Sequence, residues 1–252
     1  MSGHNKWSKI KRAKGAADIS RGNMFTKLTR EIIIAVREGG DNADANFRLR
    51  LAMQKARDFN MPFDNINRAI LRGAGKAEGM TLIEMTLEGY GPGGTAIMVK
   101  ALTDNRMRTL QDIRNIFNRH GGNLGEAGSV GWLFDSKGII TLKVDGLDPQ
   151  ELELKAIDAG ADDVKTEEDS VEIYTKPNEL EMVRTALEKN NIPVGSAELS
   201  LIPKTMIDLD EKAAIGALKL LNKLEEMDEV QQVAINANFS DDIVEKYHAQ
   251  AV

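Results

Sequence analysis

From residue 137 to residue 202 the chain reads strand, helix, strand, strand, helix, strand, and that series constrains everything on either side of it. The strands fall at 138–144, 161–166, 170–175 and 196–202, and the helices at 148–159 and 177–190. Asp148-Pro149-x-Glu151 has helix-start chemistry and Gly160 helix-stop chemistry. A βαββαβ order closes on itself as a ferredoxin-like layer. Residues 80–135 do not close in this way. TLIEMTLEGY (81–90) and TAIMVKALT (95–103) alternate as strands about a GPGG turn, a helix capped by Asp104 spans 106–120, and a further strand centres on Trp132 and Phe134. One helix is missing from a two-layer unit. Residues 209–236 supply it, with Ala213, Ala217, Leu220, Leu221 and Leu224 at helical spacing followed by the strand VQQVAIN. The 137–202 segment is therefore read as an insertion into a middle domain that resumes near 203, with 239–252 as a loosely held tail.

The first 78 residues follow the helical period. Ser20 is a plausible N-cap. Phe25, Leu28, Ile32 and Ala35 or Val36 then recur on one face until Gly39-Gly40. A second helix over roughly 44–59 turns Leu49, Met53 and Ala56 inward and Arg48, Arg50, Lys55 and Arg57 outward. Pro62 opens a third, with Ile66, Ala69 and Ile70 inward and Gly73 and Gly75 at its end. Residues 1–19 show neither period and read as a mobile basic arm. The expected fold class is α+β: an N-terminal three-helix domain (1–78) and two α+β, ferredoxin-like domains, one (137–202) inserted into the other (79–136 plus 203–252).

Charge divides the chain at the same place. Residues 1–78 carry 16 basic and 8 acidic groups, whereas 79–252 carry 17 basic and 31 acidic ones. Residues 1–30 hold eight Lys or Arg against Asp18 alone, in a protein of net charge −6. A segment so opposed to its own chain calls for a polyanion, and nucleic-acid phosphate is the commonest. The candidate contacts are Lys6, Lys9, Lys11, Arg12 and Lys14 in the arm, with Trp7 able either to stack on a base or to anchor the arm on the helical domain. Arg21, Lys27 and Arg30 extend that surface along the first helix, and Arg48 and Arg50 along the second. Arg106 and Arg108, at a helix start with spare N–H groups, could hold a phosphate; their bland role is to pair with Asp104 and Asp112.

Other chemistries find little footing. There is no Cys, and His4, His120 and His248 are too scattered for a metal or acid–base site, so no catalytic residue, metal or cofactor is expected. Gly89–Gly94 matches G-x-G-x-x-G in letters, but a strand follows where a dinucleotide site needs a helix. The loop GGNLGEAGSVG (121–131) lacks the Gly-Lys-Ser/Thr ending of a phosphate loop and reads as structural turns. The strands GIITLKV and SVEIYT lack the paired aromatics of an RNA-recognition sheet. No run approaches ~20 apolar residues and no secretory signal is present, so a soluble cytoplasmic protein without a membrane partner or small-molecule substrate is expected.

Several strings carry a family resemblance: GHNKWSKIKRAK, RGNMFTKLTREI, NFRLRLAMQKARDFNMPFDNINRAI, EGYGPGGTAIMV, LTDNRMRT and GGNLGEAGSVGWLFDSKG. In this order they resemble the YebC/PmpR family, whose relatives include mitochondrial translational activators. Asn5, Phe47 and Met107 stand where the family usually has Ser, Pro and Asn. The resemblance implies three domains with the last inserted, and a cytoplasmic regulator of gene expression. Members are described as DNA-binding transcriptional regulators, others as ribosome-associated factors that relieve stalling. The expected partner is DNA, or ribosomal RNA in the alternative, with ribosomal or transcription proteins facing the acidic domains; a non-enzymatic adaptor is the third option.

Overall fold

The computed structural model describes residues 21–77, 81–144, 148–166 and 170–250. Helix α1 (Arg21–Gly39) is the pillar of the N-terminal part, burying Leu28 and every residue from Ile32 to Val36. Helices α2 (Phe47–Asp58) and α3 (Phe63–Gly73) pack on it. The α1–α2 corner depends on one amide. The Asn46 carbonyl oxygen accepts from the Leu49 N–H at 3.0 Å as the N-cap of α2, while its Nδ2 donates to the Ala35 and Gly40 carbonyls at 2.7 and 2.8 Å. Gly39 must be glycine for this approach, since a Cβ there would lie 2.6 Å from Asn46 Cγ. Gly73 lets α3 come equally close to α1, for a Cβ would meet that of Val36 at 2.7 Å.

The middle layer is a sheet in the order β3-β1-β2-β9. Strands β1 (Ile83–Tyr90) and β2 (Ala96–Thr103) form an antiparallel hairpin, β3 is only Asn123–Leu124, and β9 is Val230–Ile235. Met85, Ile97, Val99, Val233 and Ile235 face a core completed by α4 (Arg106–Arg119), through Ile113 and Phe117, and by α7 (Glu211–Glu225), through Ala217, Leu220, Leu221 and Leu224. Leu82 and Leu102 instead join the helical core of α1–α3. The N-terminal helices and the middle layer therefore belong to one compact unit rather than standing apart.

Residues 135–202 form the second compact unit. Its elements are β4 (Phe134–Lys143), α5 (Pro149–Asp158), β5 (Asp163–Thr166), β6 (Ser170–Thr175), α6 (Leu180–Lys189) and β7 (Val194–Pro203), with sheet order β5-β6-β4-β7, a ferredoxin-like layer. At the junction with the first unit the Lys204 N–H donates to the Leu133 carbonyl at 2.8 Å, so the chain leaves and re-enters the host side by side.

Four local expectations are corrected. Trp132 is not in a strand but in a 3₁₀ turn, Gly131–Leu133, and the strand from Phe134 belongs to the inserted unit. The third strand of the middle sheet is β3, inside the glycine-rich loop, where Gly89 and Tyr90 pair with Leu124 and Asn123. Residues 239–250 are no loose tail: short strands β8 (Ile207–Asp208) and β10 (Ala237–Asn238) pair, and α8 (Asp241–Gln250) follows, with Phe239 and Tyr247 buried in the α7 core. Finally, α4 is capped by Asn105, whose side chain accepts from the Arg108 N–H at 3.1 Å, and not by Asp104.

Candidate nucleic-acid interface

The arm residues Lys6, Trp7, Lys9, Lys11, Arg12 and Lys14 lie outside the described residues. Arg21 is the first residue of α1. Beyond it, most cations assigned to phosphate from the sequence turn out to hold the fold together. Lys27 Nζ donates to the Glu225 carbonyl and Asn23 Nδ2 to the Glu226 carbonyl (3.4 Å), at the C-terminal end of α7 where the helix dipole is negative. Arg30 is buried and reaches Glu229 at 3.5 Å. These contacts fasten α1 to the middle layer and leave little of either cation for a ligand.

Arg48 is more firmly committed. Its three nitrogens meet Glu31 at 3.0 Å, Glu38 at 2.6 Å and Glu84 at 3.2 Å. Burial alone would lower its pKa, but the surrounding carboxylates, Glu31 foremost, raise it above the usual guanidinium range. Arg50 Nη1 donates to the Ala43 and Asp44 carbonyls at 2.6 and 2.7 Å, clamping the turn before α2, and its guanidinium carbon lies 5.9 Å from the Phe47 ring centre. Arg108 pairs with Asp104 at 2.9 Å and approaches Glu229 at 3.6 Å. At that helix start Asn105 already answers the Arg108 N–H and Asp104 already pairs with the Arg108 guanidinium, so a phosphate there would compete with contacts made within the chain. Arg106 itself is exposed and unpaired among the described residues.

Other free cations are assigned no phosphate from the sequence, although Arg57 is read there as facing outward. Arg57, Arg72, Arg114 and Arg119 are exposed, and none makes an ion pair or side-chain hydrogen bond with a described residue. A sequence signal does mark them. Like Arg106, each lacks a carboxylate three or four positions away on its helix, whereas Arg108 has Asp104 at i−4.

The sheet of the inserted unit does not present a base-stacking face. Thr141, Glu172 and Tyr174 alternate along it but are buried; the Tyr174 hydroxyl donates to Glu172 at 2.9 Å and Lys165 Nζ lies 5.0 Å from the ring centre.

A different end of the molecule carries exposed aromatics. The Glu88 carboxylate, near the end of β1, accepts the backbone N–H groups of Gly128, Val130 and Gly131 at 2.8, 2.7 and 2.6 Å. The glycine-rich loop thus satisfies its amides with a carboxylate of the same chain and is no anion cradle. Two residues on, the Tyr90 hydroxyl donates to the Ser129 carbonyl at 3.1 Å, and Trp132 Nε1 donates to the same oxygen at 3.2 Å. Burial pulls the Glu88 carboxyl up, but the three amides outweigh it and hold the group below the usual carboxylate range. A depressed folded-state pKa adds stability above the unfolded value of about 4.3, and that stability is withdrawn as pH falls through the folded value. Glu88→Gln should therefore cost about 2 kcal/mol at neutral pH and much less in acid, read from denaturation curves at both pH values.

No group of three or more His, Asp or Glu among the described residues could hold a metal ion, and no described helix is long and apolar enough to cross a membrane. The architecture is that of a helical module fused to an α+β layer with a second α+β layer inserted. The N-terminal domain model described as TACO1/YebC matches residues 5–76, and the model for the TACO1/YebC second and third domain matches residues 82–237. The chain belongs to the TACO1/YebC family. Among its relatives, one from Dehalococcoides mccartyi named "probable transcriptional regulatory protein" is 55% identical over 251 residues, covering 100% of both chains. Another of that name, from Herpetosiphon aurantiacus, is 49% identical over 99% of this chain and 100% of its own. The crystal structure of a conserved hypothetical protein from Aquifex aeolicus superposes with a TM-score of 0.82 at 47% identity, covering 89% of this chain and 93% of that one.

Proposed function

We propose that this protein is a non-enzymatic, cytoplasmic regulator of gene expression that binds nucleic acid, duplex DNA foremost, through its N-terminal part. One observation carries the reading: 16 basic against 8 acidic groups in residues 1–78, joined to a remainder with 17 against 31. The family's regulator names agree with it. Phosphate contact by the arm supplies affinity without sequence preference, and the acidic remainder, repelled by the same phosphates, faces a protein partner. Titrating the full-length protein with duplex DNA over a salt series tests this. About six neutralised phosphates give a log–log slope near −5, at roughly 0.9 per contact, and a slope near zero removes the reading.

A second reading, a translation factor working on structured or ribosomal RNA, has one observation in its favour. The unpaired arginines are spread over α2, α3 and α4 instead of lining one helix suited to a DNA groove. Competition between duplex DNA and ribosomes at near-physiological salt decides between the two. Sub-micromolar, sequence-selective DNA binding supports the first, and retention by ribosomes the second.

A further inference from the structure

The two glycine-rich motifs, EGYGPGG and GGNLGEAGSVGWLF, have no part in the charge argument, yet the fold brings them to one end of the middle sheet. The β1–β2 turn, the α4–β3 turn and the 125–131 loop meet around the last residue of β1. A Cβ on Gly122 would lie 2.5 Å from the Tyr90 carbonyl, and one on Gly121 would lie 4.0 Å from Pro92. Beside these turns stand two aromatics that the fold leaves in water, Trp132 at 67% and Tyr90 at 38% exposure. Such exposure is unusual for an indole that is held in place. Trp132 is not a floppy surface residue: its only donor is bound to the Ser129 carbonyl, which Tyr90 also binds, and the loop carrying that carbonyl is fixed by Glu88.

With both polar handles engaged inside the chain, what these rings offer to a ligand is π surface. The neighbouring Gly94 and Gly128 offer no side chain, and even a Cβ at either would meet no atom within 4 Å. Helix α4 ends at Arg119, two residues before Gly121, and so runs into this same corner. On this helix Arg106, Arg114 and Arg119 are exposed and without partners among the described residues, Arg119 at the end nearest the corner, on a part of the chain that is otherwise acidic. Unpaired arginines leading to a rigid aromatic pair are the two components of single-strand recognition, a cationic track for the backbone and a stacking surface for a base.

We propose that Trp132 and Tyr90 form a stacking platform for an unpaired nucleobase, and that Arg114 and Arg119, with Arg106 farther along α4, take the phosphates of the same single strand. This rests on the nucleic-acid reading above but places a second contact on the middle layer, separate from the N-terminal part. A single strand threading this corner has its bases out of the duplex, which suits a loop or end of RNA, or an opened DNA strand.

The test uses the full-length Trp7→Phe protein, in which Trp132 is the remaining tryptophan. It is titrated with oligouridylate and, separately, oligodeoxythymidylate of about 12 nucleotides, and with a duplex. Quenching of Trp132 emission on saturation is expected. Trp132→Ala should weaken single-strand binding about tenfold, with Trp132→Phe retaining most of the affinity. Arg114→Glu with Arg119→Glu should lower the single-strand log–log salt slope by about 1.4. The uridylate and thymidylate arms separate RNA from DNA. Because Trp132 is exposed, the melting temperature of Trp132→Ala should stay that of its parent; if it falls, the emission titration and Trp132→Phe carry the test. Unchanged emission at saturation, or full single-strand affinity in Trp132→Ala, overturns the platform and leaves the pair to a protein contact, even where duplex binding is intact. Failure of the protein to bind any of the three removes the broader reading as well.

Discussion

Deleting residues 2–19 is expected to weaken duplex binding by about 100-fold at low salt and to flatten the log–log salt slope by about 4 to 5. The arithmetic follows from Lys6, Lys9, Lys11, Arg12 and Lys14, each worth roughly 0.9 of slope on duplex DNA if it neutralises a phosphate. Lys27, Arg30 and Arg48 cannot make up the loss, since their charges already serve Glu225, Glu229 and the Glu31–Glu38–Glu84 group. The melting temperature should hardly move, because the described helical core begins within α1, at Leu28 and Ile32 to Val36. Fluorescence anisotropy across a salt series, with a thermal melt on the same sample, checks both halves. A large fall in melting temperature would make the segment structural and withdraw its assignment to phosphate.

Arg48→Ala should behave in the opposite way, costing about 3 kcal/mol of stability while leaving duplex affinity nearly intact. Removal of this cation strands three carboxylates that converge on one point, two from α1 and one from β1. Breaking a fully buried ionic group costs roughly 3 to 5 kcal/mol, and the lower end applies because the Arg48 side chain retains 29% exposure. Glu84 lies on the sheet and Glu31 and Glu38 on the helix, so the loss also weakens the seam between the helical module and the middle layer. A fall of about 6 to 12 °C in the first transition is expected by calorimetry. Should affinity fall tenfold while stability holds, Arg48 would be a ligand contact after all.

How far the amino-acid order discloses this molecule depends on the range of the deciding interaction. The inserted layer can be read almost element by element, because Asp148-Pro149, Gly160 and the alternation in SVEIYT are signals within a few residues. The helix and strand after residue 209 can likewise be matched to the layer that lacks them. Strand β3 escapes such reading: its two-residue pairing with Gly89 and Tyr90 is accompanied by Glu88 gathering amides from 40 or more positions away. Trp132 looks like a strand centre because aromatics favour strands, yet the turn held by Ser129 turns it outward. Helix α8 looks like a tail because DDIVEKYHAQ is a weakly amphipathic string whose anchors, Phe239 and Tyr247, find their partners only in three dimensions. The same limit governs the site. Asp104 beside Arg108 is visible at i−4, whereas the partners of Lys27, Arg30 and Arg48 lie as far as 199 residues along the chain. Charge density indicates that a polyanion is wanted; it does not indicate which cations are still free to meet it.

The hydrogen bond between Leu133 and Lys204 has an evolutionary corollary. A segment whose two ends are already stitched together can be lengthened, swapped or excised as a cassette, because the host's own layer is closed across the cut by α7 and β9. Changes within the 135–202 module are thus buffered from the layer that carries it.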